Sequence, residues 1–195
     1  THTRVVVIGG GVVGVSTLYH LTRKGWADVV LCERTELTAG STWHAAGLLP
    51  LFNMSYSVGQ IHKYSLDFYQ QLESETGQDV GLKKVGNIRL ATNNDRMDEY
   101  KFYAGVARTI GVEVNFLTPK QILEIWPLCN TDGLVGGIIH PGDGYIQPAD
   151  LTQALAIGAR NRGAEIYRRT KVTALIRTRS NEWKVTTDKG DIICE

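Results

Sequence analysis

In the opening segment, VVVIGGGVVGVSTLYHLTRKGWADVVLCE, Gly9, Gly11 and Gly14 stand in GxGxxG spacing, and Glu33 follows 24 positions after Gly9 (33 − 9). Gly9 permits a tight turn, Gly11 lets the backbone approach a diphosphate, and Gly14 lets a helix lie close on the preceding strand. The amino terminus of that helix offers N–H groups and partial positive charge to the diphosphate. An acid at the Glu33 position can hold both hydroxyls of a ribose. The spacing therefore predicts a bound dinucleotide. The acid repels a 2′-phosphate, which disfavours NADP, and it does not separate NAD from FAD.

A second stretch, GSTWHAAGL, sets a tryptophan and a histidine among small residues: Gly40, Ser41, Thr42, Trp43, His44, Ala45, Ala46, Gly47 and Leu48. Small side chains let a backbone run against something large and flat. Loops of this length in compact domains are commonly functional. A flavin ring extends far beyond the diphosphate and needs such a wall, whereas NAD-binding domains usually continue the sheet after the second strand. Taken alone, His44 fits an ordinary loop histidine bonded to the backbone as well as it fits a cofactor group. Trp43 fits packing as well as ring contact. His20 is expected to face solvent, and His62 to be structural.

The elements that position these residues follow from period and punctuation. A β-branched run at 4–8 reads as a buried parallel strand, 12–24 as an amphipathic helix ended by Gly25, and 29–32 as a second buried strand. Together they make a right-handed βαβ unit with a parallel sheet. Residues 35–54 read as a long loop. Residues 56–76 read as a helix with Ile61, Tyr64, Phe68 and Leu72 on a core face. Strands are expected at 82–84, 87–91, 112–117 and 134–140, with helices at 95–110 and 119–126. Thr118 and Gln121 form a capping box at the start of the second of these helices. PGDGYIQP reads as a turn-rich loop, 149–162 as a helix, and 166–169, 171–178, 183–187 and 192–193 as strands.

Composition bounds the partners. The 195 residues are 43% hydrophobic and carry 21 basic against 20 acidic side chains, for a net charge of +1. Neither nucleic acid nor a membrane surface is expected to bind so balanced a chain. Cys32, Cys129 and Cys194 are scattered and form no CxxC pair. They suit a reducing compartment, cytoplasmic or mitochondrial matrix, and give no case for a metal site.

IGGGVVGVSTLYHL, LTAGSTWHAAGLL, GNIRLAT and PGDGYIQPADLTQALAIGARNRGAEI together resemble the dimethylglycine and sarcosine dehydrogenases, among the D-amino-acid-oxidase-like flavoproteins. The resemblance implies an α/β fold. A Rossmann-like FAD-binding domain with a parallel sheet would occupy 1–80 and 148–195, with part of an inserted α+β substrate domain at 81–147. It implies FAD joined covalently to His44 and lined by the rest of 40–48. Glu33 and Arg34 would lie at the adenosine ribose, Val12 and Val13 beside the diphosphate, and the Val172 backbone at the adenine. The implied reaction is hydride transfer from an N-methyl amine to the flavin. Water, or tetrahydrofolate in a domain outside this chain, takes the one-carbon unit, and oxygen or an electron-transfer flavoprotein takes the electrons.

The resemblance names no catalytic residue within this chain. It implies an amino-terminal portion of a longer enzyme. Smaller monomeric sarcosine oxidases carry arginines soon after the flavin loop to hold the substrate carboxylate; PLFNMSYSVG, at 50–59, has none, which points to the larger dehydrogenases. Two alternatives stand beside this reading. One is a non-catalytic regulatory relative of the type carried by pyruvate dehydrogenase phosphatase, which lacks the histidine. The other is an NAD-dependent dehydrogenase.

Overall fold

The computed structural model describes residues 2–51 and 55–195. Strands β1 (His2–Thr3) and β2 (Val5–Ile8) lead into helix α1 (Val12–Arg23) and strand β3 (Val29–Cys32). A 3-10 turn (Ser41–His44) and strand β4 (Leu48–Leu49) precede helix α2 (Tyr56–Thr76). Next come β5 (Lys83–Lys84), β6 (Asn87–Ala91), α3 (Asn94–Ile110), β7 (Asn115–Leu117), α4 (Pro119–Ile125), β8 (Gly136–His140) and β9 (Gly144–Tyr145). Helix α5 (Pro148–Asn161) is followed by β10 (Glu165–Tyr167), β11 (Val172–Arg177), β12 (Trp183–Thr187) and β13 (Gly190–Cys194). The chain divides into two units. The first comprises Thr1–Gly47, Gln71–Gly81 and Gln147–Glu195, and the second Leu48–Gln70 and Leu82–Ile146.

In the first unit β3 is the middle strand of a parallel sheet ordered β10-β3-β2, with Val5 opposite Val29 and Ile8 opposite Cys32. All four β3 residues are buried, as a parallel strand covered on both faces requires. Val30 and Cys32 pack on Val185, Ile192 and Cys194 of a second sheet, ordered β1-β13-β12-β11. Helix α1 buries Val15, Leu18 and Tyr19 and packs along α5. A β-carbon at Gly158 would come within 2.6 Å of the Tyr19 ring, so the two helices meet where one residue has no side chain. The Tyr19 hydroxyl donates to Glu75 at 2.7 Å, and Arg162 Nη2 donates to the same carboxylate at 2.6 Å. The Arg162 guanidinium also lies 4.9 Å from the Tyr19 ring centroid. One carboxylate thus staples α1, the end of α2 and the end of α5.

The second unit is built on antiparallel pairs. In the sheet ordered β6-β8-β7, Ala91 and Ile138 face Tyr100 of α3, while Ile88, Leu90 and Ile139 face Ile122 of α4 and Cys129. That alternation is the period-2 signature of a strand with a helix on each face. Asn93 caps α3 by accepting the Arg96 N–H, and Gly111 ends it at φ +77°. The Thr118–Gln121 capping box forms as expected. A smaller sheet, β4-β9-β5, joins three two-residue strands.

Four expectations are corrected. Residues 35–54 are not simply loop, since they hold the 3-10 turn and β4; residues 52–54 lie outside the described residues. PGDGYIQP contains β9 and the first residue of α5. On α2, Phe68 and Leu72 are buried, but Ile61 is 62% and Tyr64 54% exposed. Helical period defines a face, not how far along it a neighbour reaches, and Tyr64 stacks on Phe68 while staying half exposed. His20 is half-buried rather than solvent-facing. Its Nδ1 donates to the Ser16 carbonyl at 2.8 Å and its ring packs edge-on against Tyr19. Among the described residues no helix is long and apolar enough to cross a membrane, and no group of three or more metal-ligating side chains gathers.

His140, at the end of β8, is fully buried. Burial, aided by the Arg89 charge, pushes its imidazole down to about 4. Because the folded value lies below the unfolded one, the unfolded chain takes up a proton first as pH falls from about 6.5, and stability falls with it. Asp143, buried nearby in sequence and raised above its ordinary value, acts in the opposite sense. We expect the unfolding free energy of the native chain to drop by about 3 kcal/mol between pH 6.5 and pH 4. In His140→Gln that slope should flatten, as urea denaturation at a series of pH values would measure.

Candidate functional site

Gly9 leaves β2 at φ +107°, a left-handed backbone that glycine adopts without strain. Its N–H donates to the Cys32 carbonyl at 2.9 Å, which keeps the turn against the end of β3. A β-carbon on Gly14 would stand 2.0 Å from the Gly9 carbonyl oxygen. No side chain fits there, so the helix can sit this close only with glycine. Gly11 is the residue before α1 and offers no side-chain cap. The first turn of α1 itself carries no acidic residue.

Glu33 closes this turn from the other side. Its Oε2 accepts the Gly10 N–H at 2.7 Å, and its Oε1 accepts the N–H and hydroxyl of Thr35 at 2.7 and 3.0 Å. Partial burial pushes the carboxyl up, but the Gly10 and Thr35 donors and the neighbouring Arg34 charge outweigh it, and the group stays ionised below its ordinary value. A carboxylate has about four lone-pair sites, so acceptor capacity remains for a ribose. Arg34 is exposed beside it.

The loop carrying His44 is bound to the glycine turn by its backbone. Thr38 N–H donates to the Gly10 carbonyl, and Trp43 N–H donates to the Thr38 carbonyl, both at 3.0 Å. Thr42, only 7% exposed, accepts the Val12 N–H on its hydroxyl at 2.9 Å. It thus supplies the cap that Gly11 cannot, from thirty residues away. A β-carbon on Gly11 would lie 3.1 Å from that same hydroxyl. Around this link Gly40, Ser41, Trp43, His44, Ala45 and Ala46 are exposed, with Trp43 at 70%. Val13, beside it on α1, is 77% exposed, and Ile8 at the end of β2 is 50%. His44 Nδ1 donates to the Gly40 carbonyl at 3.1 Å.

Gly47 ends the loop at φ +75°, and Leu48, 69% exposed, begins β4 in the second unit. Val172 opens β11, half-buried against the Val30 and Cys32 cluster. Reading the sequence did not single out Thr35, Leu37 or Thr38. Leu37 is buried close under Gly10, where a β-carbon would meet it at 2.6 Å, and Thr38 is held at φ +73°. The only hint of them is the run of small and hydroxyl residues before the motif. A cavity of about 710 Å³ lined by Arg168, Arg169, Lys189 and Glu36 contains none of the predicted cofactor residues. Both of its arginines pair with Glu36 at 2.9 Å.

These residues fit a dinucleotide: a cradle that β-carbons would fill, a helix start without acid, and an ionised acceptor at the second strand. The Thr42 cap carries a prediction. Thr42→Val should lower stability by about 1 kcal/mol, as loss of a helix cap does, and should loosen FAD retention about tenfold. Thr42→Ser should restore both, as thermal unfolding and, with His44→Ala in place so that flavin is held only non-covalently, flavin release by dialysis would show.

Comparison with known proteins places this geometry. The family model described as FAD dependent oxidoreductase matches residues 4–194. The chain is 46% identical over 187 residues to the mitochondrial dimethylglycine dehydrogenase of Rattus norvegicus, covering 96% of this chain and 22% of that protein. It is 38% identical over 192 residues to the mitochondrial pyruvate dehydrogenase phosphatase regulatory subunit of Mus musculus, covering 98% of this chain and 22% of that protein. Among solved structures, glycine oxidase from Geobacillus kaustophilus aligns with a TM-score of 0.85 at 29% identity, covering 100% of this chain and 54% of that one. The chain therefore spans about a fifth of the length of the curated relatives it matches. With the family match running almost from end to end, this chain belongs to the FAD dependent oxidoreductases.

Proposed function

We propose that this chain is the flavin-holding part of an enzyme that oxidises an N-methyl amino acid or a related amine, with FAD attached through His44. The observation that carries the reading is where His44 stands: exposed, with Nδ1 3.1 Å from the Gly40 carbonyl, on a loop fastened to the glycine turn by Thr38 and Thr42. In this reading Nε2 is the attachment nitrogen. FAD, when bound, supplies a two-electron acceptor for a C–H bond next to nitrogen.

The chain's own residues do the holding. First-turn N–H groups of α1 receive the diphosphate beside Val12 and Val13, Glu33 orients the adenosine ribose, and the Val172 backbone meets the adenine. Residues 40–48 form the wall along the ring and exclude water from one side of it. The first unit is the cofactor-holding part and the second belongs to the substrate domain. An amine of the dimethylglycine, sarcosine or methylaminobutyrate kind, delivered unprotonated, completes the reading. With it come oxygen or an electron-transfer flavoprotein as electron acceptor, water or tetrahydrofolate as one-carbon acceptor, and a cytoplasmic or mitochondrial matrix location.

The likeness to a pyruvate dehydrogenase phosphatase regulatory subunit favours a second, non-catalytic reading. His44 speaks against it, since the resemblance to that regulatory type implies a protein without this histidine. One experiment separates them. Acid precipitation of the native protein should leave yellow colour with the polypeptide, and His44→Ala should release all of it. Dimethylglycine or sarcosine should then bleach the flavin absorbance of the native protein in the absence of oxygen. Colour lost entirely to the supernatant ends the attachment, and a flavin that no N-methyl amine reduces transfers the case to the regulatory reading.

A further inference from the structure

The turn PGDG, between β8 and β9, is built with little tolerance. Gly144 sits between β4 and β5, opposite Leu49 on one side and Lys84 on the other. A β-carbon there would stand 2.0 Å from the Lys83 carbonyl oxygen, so only glycine lets the three strands meet. Asp143, 1% exposed, places its Oδ1 2.8 Å from the Leu51 N–H across 92 positions of sequence. Its own carbonyl accepts the Gly86 N–H at 2.9 Å. The Leu51 side chain packs over Gly142, where a β-carbon would meet it at 2.7 Å. Leu51 also packs on the Ala107, Ile110 and Val112 cluster.

Several of these contacts grip the same piece of chain. Leu48 and Leu49 are paired along β9, and Leu51 is held by its N–H and by its side chain. That piece begins one residue after Gly47, where the His44 loop ends. At its other end the loop is fastened by the Thr42 hydroxyl to Val12. Five residues, 43–47, span the two fastenings, and His44 is one of them.

Resting on the reading of residues 40–48 as the flavin wall, we propose that Asp143 is a positioning residue for the carboxyl end of that wall: it fixes the course of the chain from Leu48 to Leu51, where the wall ends. Asp143 touches neither cofactor nor substrate in this role. A buried carboxylate accepting a backbone N–H holds it more strongly than a neutral acceptor would. An asparagine keeps an acceptor oxygen at the same reach, whereas alanine removes it and leaves a buried N–H unsatisfied.

The test compares Asp143→Ala and Asp143→Asn in the full natural chain, with two readouts. The first is the fraction of flavin that stays with the polypeptide on acid precipitation. The second is the rate at which thermolysin, which cuts before leucine, nicks flavin-free protein between residues 47 and 51. Asp143→Ala should be nicked about tenfold faster, as loss of a buried charge-assisted bond implies, and its covalent fraction should fall below about half. Asp143→Asn should stay within about twofold of the native protein on both. Native behaviour in Asp143→Ala overturns the proposal. So does Asp143→Asn being as impaired as Asp143→Ala or insoluble, and so does faster nicking with an unchanged covalent fraction. Should the native protein hold no covalent flavin, the His44 attachment falls by itself. The anchor is then read from non-covalent FAD affinity, which Asp143→Ala should weaken about tenfold and which, left unchanged, overturns it.

Discussion

A β-carbon at position 14 would stand 2.0 Å from the carbonyl oxygen of Gly9, and the geometry of the first unit depends on its absence. Because α1 can lie that close to the end of β2, its first turn faces the space just beyond the strand instead of being pushed away from it. The same approach brings Val15, Leu18 and Tyr19 into the core and sets Tyr19 against Gly158 of α5. A single residue larger than glycine at position 14 would lift the helix and undo both the phosphate cradle and the α1–α5 contact. The cradle and the core are therefore one constraint, which is why the site is built into the fold and not added to its surface.

On that base the hydrogen bonds fall in a sequence. Glu33 closes the glycine turn by accepting from Gly10, Thr38 holds the same residue from the other direction, and Thr42 caps the helix. Each bond connects backbone that the chain visits at different times: the first turn, the end of the second strand, and the loop after it. Charge follows the same economy. The Glu33 carboxylate is kept ionised by donors from the turn it closes. A negative acceptor thus stands ready where a ribose would lie, while the helix start itself stays free of acid.

The regular elements were legible because each carries its own signal. Val29–Cys32, Asn87–Ala91, Trp183–Thr187 and Tyr56–Thr76 fall where the apolar runs and helical period put them. The Thr118 capping box forms because its two side chains need only each other's backbone. Lys83–Lys84 lies within the strand expected at 82–84, but two of the other two-residue strands were not legible. Leu48–Leu49 and Gly144–Tyr145 are extended because they pair with one another, and two residues are too few to show a period. Of the site, the glycines, Glu33 and the His44 motif could be read from types and spacing. Thr35, Leu37 and Thr38 could not, because what they do is bond or pack against the glycine turn, and partners distant in sequence leave no mark on the sequence around them. The outer half of the α2 stripe was over-read for a related reason: period reports a face, and only the neighbour decides whether it is covered.

The exposed residues of the first unit carry the same logic one step further. Ile8, Val13 and Trp43 are 50%, 77% and 70% exposed, although apolar side chains of this size gain roughly 1.5–3 kcal/mol when fully buried. They are not scattered. One ends the strand before the glycine turn, one lies in the first turn of the helix after it, and one sits on the loop that the Thr42 hydroxyl ties to that helix. Three segments joined by short hydrogen bonds each present an apolar side chain, beside a helix start whose own first turn carries no acid. A surface of that kind, rigid in its backbone and apolar at its edges, matches a ligand with a charged middle and a flat aromatic end. The cost of leaving those side chains in water is then the cost of keeping the wall ready before the ligand arrives.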